Sequence, residues 1–307
     1  MVQVPNFPSH GAMRTSKLLI FAGLMLCVSA AHAQDYTFKV LVNKGLNEVK
    51  SADSWQPVKT GASLRSGDEL KVAANSYIGL IHVSGKPLEI RDADTYKISD
   101  LASRITGGSS ALNKYTEFIL SANDEKKNKL SATGAVHRGS ESSDIQVMLP
   151  ENQNSEVFNE VVVVNWTSSK SEGPFIVHIR NIFEEPLAKI ETSESSIKID
   201  LHDPKYVKEN GIFIAVSLKS DPKHVSKQHY IKKISTTDNE KVKKLLGDII
   251  GDVAEQTALN SFFLAGFYES QGLLIDAIGA YEDAVRLEPS YQEDYDGFLV
   301  RNGLKRE

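Results

Sequence analysis

The sequence predicts a multidomain α+β protein in which two β-rich domains precede a small all-α helical domain. Three observations carry this reading. Residues 36–101 and 143–235 each consist of short runs of alternating apolar and polar residues between turn signals, the period of a half-buried strand. The last 70 residues instead space their apolar side chains as helices do. There the stretch "LAGFYESQGLLIDAIGAYEDAVRLEP" (264–289) reads as two short amphipathic helices joined at Gly272 and stopped by Pro289. A chain of 307 residues, 41% hydrophobic and 24% charged, suits two or three domains with substantial cores.

Residues 1–33 have the form of an export signal. Arg14 and Lys17 precede the apolar run "LLIFAGLMLCVSAA", and "AHA" ending at Ala33 is a small-x-small cleavage site that would leave Gln34 as the new N-terminus. The polar residues before Met13 suggest Met13 as the true start. The apolar run falls short of the roughly 20 residues needed to cross a bilayer, and no later segment approaches that length. The only cysteine, Cys27, lies inside this leader. Leu26 in front of it, where a lipoprotein carries a small residue, argues against lipid attachment. Cleavage then leaves a thiol-free chain, which excludes disulfides, thiolate metal sites and cysteine nucleophiles. The expected location is the periplasm or beyond.

Removing Arg14 and Lys17 takes the formal charge from −5 to −7, which argues against a nucleic-acid partner. Residues 34–237 carry 26 acidic and 26 basic side chains, whereas residues 238–307 carry 14 acidic and 7 basic. The excess is read either as a solvated helix surface or as a face that attracts a basic partner.

The first β-rich domain is expected over 34–105. Its stretch "WQPVKTGASLRSGDELKV" places Trp55 and Pro57 before Gly61, then Leu64 and Gly67-Asp68, then the apolar pair Leu70 and Val72. Glycine at such turns permits positive φ, and Asp68 is placed to hydrogen-bond its own turn. This pattern, with a later glycine-led strand from Gly85 to Ile90, resembles the FecR-like periplasmic β-domain over about 65 residues. The resemblance implies envelope sensing or scaffolding and no catalysis.

Residues 106–142 form a linker. "TGGSS" is a flexible break, after which Leu112, Tyr115, Phe118 and Ile119 share one face of a helix of about three turns, a narrow stripe suited to packing on a neighbouring domain, with "NDEKKNK" ending it in solvated charge. Over 143–236 the runs "EVVVVNW", "FIVHIR", "SIKIDL" and "IFIAVSL" put Phe175, Val177 and Ile179 on one face and Ile212, Ile214, Val216 and Leu218 on another. This looks like an immunoglobulin or fibronectin type III sandwich, with Trp166 as the buried tryptophan between sheets. The triplet "NWT" at Asn165 fits a glycosylation acceptor, but burial of Trp166 speaks against its use.

The helical domain is expected over 237–307. Counting from Ala258, Leu264 and Ala265 fall at positions seven and eight, Tyr268 at eleven, Ala277 at twenty, and Tyr281, Ala284 and Pro289 at twenty-four, twenty-seven and thirty-two. Only Ser261, at position four, lacks the usual large residue. Seven of eight signature positions thus resemble a tetratricopeptide (TPR) repeat. Small residues at 265 and 277 let two helices approach closely while Tyr268 and Tyr281 fill the space beside them. One such repeat cannot cover its own faces. A helix bearing Leu245, Leu246, Ile249, Ile250 and Val253 before it, and one bearing Tyr291, Tyr295, Phe298 and Leu299 after it, are the expected neighbours.

The candidate protein-binding groove is the inner face of the first hairpin helix, at Leu259, Phe262, Gly266 and Glu269. The Lys, Asn and Arg clamp by which some members of that family grip a terminal carboxylate is absent, so an apolar groove rimmed by acid would take a hydrophobic or basic segment. The competing reading is that Leu259 and Phe262 pack on the preceding helix.

No catalytic, cofactor or metal residue is assigned. "GGSSA" at 107–111 lacks the last glycine of a nucleophile elbow. Ser195 and Lys198 have S-x-x-K spacing but sit in a strand pattern, where they diverge. His82, His137, His178, His202, His224 and His229 show no helical i, i+4 pairing. The resulting expectation is a noncatalytic exported scaffold or adaptor that binds another envelope protein through its helical end. The alternative is a binder of a nonprotein ligand such as cell-wall glycan, through a groove lined by Trp55, Tyr77 and Tyr96. An enzyme of scattered carboxylates would need a deep pocket holding two close acidic side chains.

Overall fold

Turn chemistry sets up the first pair of sheets. The computed structural model describes Met1 and residues 36–109, 111–129, 144–151, 155–169 and 172–305. Apart from Met1, the leader expected over 1–33, with its Cys27 and cleavage site, lies outside the described residues, as do Ser110 and His137. Strands β1 (Phe38–Lys44), β4 (Ser63–Leu64), β6 (Tyr77–His82) and β7 (Pro87–Ile90) form one antiparallel sheet in the order β4-β1-β6-β7. Strands β2 (Glu48–Ser51), β3 (Ser54–Pro57), β5 (Glu69–Val72) and β8 (Asp94–Lys97) form a second in the order β3-β2-β5-β8, followed by α1 (Ile98–Ser103). Gly61 takes φ +83° between β3 and β4. The Asp68 carboxylate accepts from Arg65 N at 2.7 Å and Ser51 Oγ at 2.9 Å, fixing the turn into β5. Phe38, Val40, Leu64, Leu70, Ile78 and Leu80 fill the space between the sheets.

The second β region is a two-sheet sandwich. Strands β10 (Glu156–Val157), β16 (His229–Lys233), β15 (Gly211–Leu218), β12 (Phe175–Arg180) and β13 (Pro186–Thr192) form one sheet; β14 (Ser196–Asp200), β11 (Val161–Ser168) and β9 (Ile145–Val147) form the other. All pairings are antiparallel except β10 with β16. Phe175, Val177, Ile179, Ile212, Ile214 and Val216 are buried on the inner face, as their alternation predicts. Trp166 is buried between the sheets with its ring edge-on to Phe175 at 5.6 Å.

The helices are α2 (Ala111–Lys129), α3 (Thr236–Val253), α4 (Ala258–Ser270), α5 (Leu274–Leu287) and α6 (Gln292–Arg301), with one 3-10 turn at Pro289–Tyr291. At 19 residues α2 runs well beyond the expected three turns, its backbone continuing through "NDEKKNK". Side-chain caps start two of the others: Ser235 Oγ accepts from Asp238 N at 3.1 Å, and Thr257 Oγ1 from Asn260 N at 3.2 Å. Gly272, at φ +73°, turns α4 into α5. Ala265, Ala277 and Ala284 are wholly buried where these two helices nest, with Tyr268 and Tyr281 buried beside them. Of the stripe expected on α3, Ile249 and Val253 are buried, whereas Leu245 and Ile250 remain exposed. No helix among the described residues is long and apolar enough to cross a membrane.

The helical hairpin is central rather than terminal in space. Residues Thr37–Glu307 form one compact unit, and one apolar core runs from the sandwich through α4, α5 and α6 to Leu41, Val42, Tyr77 and Ile81 on the outer face of β1 and β6. Gly79 in β6 makes that contact possible: a Cβ there would lie 2.8 Å from Leu259 Cδ1.

Candidate functional site

The four residues expected to line an open groove are covered by the chain itself. Leu259 and Phe262 are each 1% exposed. Leu259 packs on Gly79, and Phe262 is edge-on to Tyr281 and tilted against Tyr291. Gly266 faces α2: a Cβ built on it would lie 2.6 Å from Ile119 Cδ1. Glu269 is claimed by the C-terminal helix. Arg301 donates to it through Nε at 2.7 Å and Nη2 at 2.5 Å, and Asn302 Nδ2 adds a bond at 2.8 Å. This corrects the groove reading. The apolar and basic segments that the inner face was expected to attract are its own: the Leu112–Ile119 stripe of α2, the outer face of β6, and Arg301.

Much of the acidic excess has the same explanation. Lys44 pairs with Glu293 at 3.5 Å and Asp294 at 3.3 Å, Lys86 with Asp252 at 3.5 Å, and Arg91 with Glu288. Glu89 Oε2 accepts from Leu259 N at 3.2 Å, at the N-terminus of α4, where a carboxylate meets unpaired backbone N–H groups. Tyr77 and Tyr291 join their hydroxyls at 2.9 Å, and burial pushes the ionisation of both far up.

What stays open is the other flank of the hairpin. A cleft of about 570 Å³ lies between it and the outer face of β11 and β14. Val161, Val163 and Lys198 form the sheet wall. Asn239 and Lys243 of α3, Ser261, Leu264 and Tyr268 of α4, and Asp276, Gly279 and Asp283 of α5 form the helical wall, with the turn Phe158–Glu160 at one end. A smaller hollow of about 280 Å³ continues on the far side of that turn, sharing Phe158, Asn159, Glu160 and Asn239.

Asp276 fixes the geometry of the cleft. It is 3% exposed, and its two oxygens accept from Phe158 N at 2.8 Å and Asn159 N at 2.7 Å, tying α5 to the β10–β11 turn. Tyr268 donates to Asn159 Oδ1 at 3.3 Å and packs on Phe158. Burial raises Asp276 to about 6 against the opposing pull of the backbone N–H groups, and raises Tyr268 to about 12. Nearby, Asn165 Nδ2 donates to Glu282 Oε1 at 2.7 Å and Tyr295 OH at 2.9 Å, so the side chain of the "NWT" triplet is turned inward.

The other sequence leads do not converge. Trp55 is exposed on β3, Tyr96 is half-buried on β8, and Tyr77 is buried against Tyr291; the three line no common groove. Lys198 lies in strand β14 with Ser195 just outside it. Gly107 and Gly108 take φ of +77° and +124° in the irregular stretch before α2, which is not a strand-turn-helix elbow. His178 Nε2 is 2.8 Å from Ser217 Oγ, but Ser217 is wholly buried. No group of three or more His, Cys, Asp or Glu suited to a metal ion occurs among the described residues. The cleft does bring Glu160, Asp276 and Asp283 to one lining, with Asp276 already accepting two backbone bonds.

Sequence reasoning passed over Asp276, Glu160 and Lys243. The signal available for Asp276 was a carboxylate inside the apolar run "GLLIDAIGA". No protein-family model and no curated protein matches the chain.

Proposed function

We propose that this chain is a noncatalytic exported envelope protein that holds a segment of a partner protein in the cleft between its β-sandwich and its TPR-like helices. The observation that carries this is the cleft itself, open while the hairpin's inner face is filled by α2, β6 and Arg301. Its volume equals that of pockets that hold a small molecule, about 300–1,000 Å³, which leaves room for a few side chains of a partner segment. Val161 and Leu264 offer apolar contact, and Lys198 and Lys243 stand with Glu160 and Asp283 on the same lining, so a segment bearing both signs of charge finds a counterpart. Asp276 and the α4–α5 nest hold the walls in place, which lowers the ordering penalty of binding. The FecR-like and TPR resemblances support an envelope scaffold. In this reading the first β-domain braces the helices rather than presenting an aromatic groove to glycan.

The test is crosslinking in the native envelope from photoreactive residues placed at Ser261 and at Val161, which line the cleft, with exposed Lys59 as the control position. One discrete partner captured from both cleft positions and not from 59, and lost in a folded Lys198→Glu/Lys243→Glu variant, supports the proposal. Capture unaffected by that double change contradicts it.

A further inference from the structure

Strand β14 ends its sheet with an open backbone edge. Bonds from Trp166 N to Ser195 O at 3.0 Å and from Leu201 N to Glu160 O at 2.8 Å bracket its pairing with β11, in which Val164 faces Ile197 and Val162 faces Ile199. An antiparallel ladder bonds alternate residues, so Ile197 and Ile199 direct their N–H and C=O groups to β11, while Ser196, Lys198 and Asp200 direct theirs to the free side. Apart from Asp200 O, which accepts from Asp203 N, those outward groups meet no hydrogen-bond partner among the described residues. Natural sheets shield such edges. The other edges of this sandwich are short or interrupted: β9 has three residues and β10 two, and β13 opens with Pro186 beside a register shift at Ile179/Arg180. Strand β14 runs for five residues with neither proline nor bulge.

This edge borders the cleft. Lys198, whose backbone groups point outward, also lines the cleft with its side chain. Its ammonium has no ion pair among the described residues, whereas Lys243 meets Glu240 at 3.2 Å, Glu160 meets His202 at 3.0 Å and Asp283 meets Arg286 at 3.0 Å. On the other face of the strand, Ile197 packs on the core yet is only partly buried. A helix has no spare backbone groups to offer such an edge, because its own ladder uses them. An extended segment does: it supplies N–H and C=O groups at the same two-residue spacing, and its side chains fall alternately on the two faces. With Ile197 on one face and Lys198 on the other, the fitting segment alternates apolar with polar residues and sets an acid opposite Lys198.

We infer that the occupant of the cleft binds by adding a strand to β14, as an extended segment of a partner protein with apolar residues at alternate positions and an acidic side chain opposite Lys198. This rests on the reading that the cleft holds a partner segment, and it adds how that segment is gripped.

Amide hydrogen exchange of the purified chain tests the edge itself. The N–H groups of Ile197 and Ile199 should exchange at least about a thousandfold more slowly than those of Ser196 and Lys198. Equal protection would mean that the edge is already paired, which overturns the inference. The mode of binding is tested with Lys198→Pro, since proline is tolerated on an edge strand where the missing N–H faces outward. Its urea midpoint should stay close to that of Lys198→Thr, while partner capture from a photoreactive residue at Ser261 falls about tenfold or more. Lys198→Thr keeps the N–H and should retain most of the capture. Equal capture by the two variants would overturn strand addition and leave the cleft as a binding site, whereas no capture by the wild-type chain would remove the reading of the cleft and the inference with it. A measurement free of substitutions at 198 stands beside these: in the purified crosslinked complex the Ser196 and Lys198 amides should slow by at least about tenfold, and unchanged rates overturn the inference.

Discussion

The two flanks of helix α4 face opposite situations. On one, Leu259, Phe262, Gly266 and Glu269 are covered by three other parts of the chain. On the other, Ser261, Leu264 and Tyr268 border a cleft. Both flanks belong to the same 13-residue helix and both carry apolar side chains. Amphipathicity therefore does not tell which flank is available. What decides is whether the chain supplies a cover, and a pattern local to the hairpin carries no information about β6 and α2, which lie far earlier in the chain.

The most disruptive way to break this comparison is Phe262→Asp. An uncompensated carboxylate between Tyr281 and Tyr291 should cost about 4–5 kcal/mol or more and leave little folded protein, seen as loss of the cooperative urea transition. On an open groove the same change would be nearly silent.

Next comes Glu269→Ala, which strands Arg301. The loss should be about 3–5 kcal/mol, and replacing both residues by apolar ones, Glu269→Met with Arg301→Leu, should restore most of it. Equal destabilisation by single and double variants would show that the pair matters only for its packing.

Asp276 gives a smaller effect with a definite sign. Its folded value of about 6 lies above the ordinary 3.8, so the native state binds the proton more tightly than the unfolded chain does. The stabilisation from this group is full below about pH 4 and is lost as pH rises through about 6. Relative to Asp276→Asn, which does not titrate, the wild-type chain should gain up to about 3 kcal/mol between pH 7 and pH 4. Urea midpoints of the two proteins across that range give the difference, and parallel curves would mean that the carboxylate is not desolvated.

The mildest change sharpens the comparison instead. Lys198→Glu with Lys243→Glu should alter stability by no more than about 0.5 kcal/mol per site, because these side chains border an open cleft, while abolishing partner capture.

How much of this was legible depended on range. The nesting of α4 and α5 could be read because its determinants, Ala265, Ala277, Tyr268 and Tyr281, lie within 17 residues. The inward faces of β12 and β15 followed from two-residue alternation, whereas the burial of Trp166 was expected only from the resemblance to a two-sheet sandwich. The stripe on α2 announced that the helix packs on something, but its address, Gly266, could not be deduced from a glycine that reads equally as an open groove position. The acids of the C-terminal helices were legible as a surplus; that Lys44, Lys86 and Arg91 answer them is a property of the assembled fold. Asp276 escaped notice because its partners are backbone N–H groups, which every sequence has.

The seating of α2 against α4 can be measured directly. A Cβ on Gly266 lies 4.0 Å from the Cβ of Ile119, within the roughly 3.5–4.5 Å that a disulfide spans. Ile119→Cys with Gly266→Cys, in a Cys27→Ala background, should close an intramolecular disulfide under mild oxidation. Two thiols that stay free and reactive in the folded protein would mean that the inner face of the hairpin is not occupied by the chain's own helix.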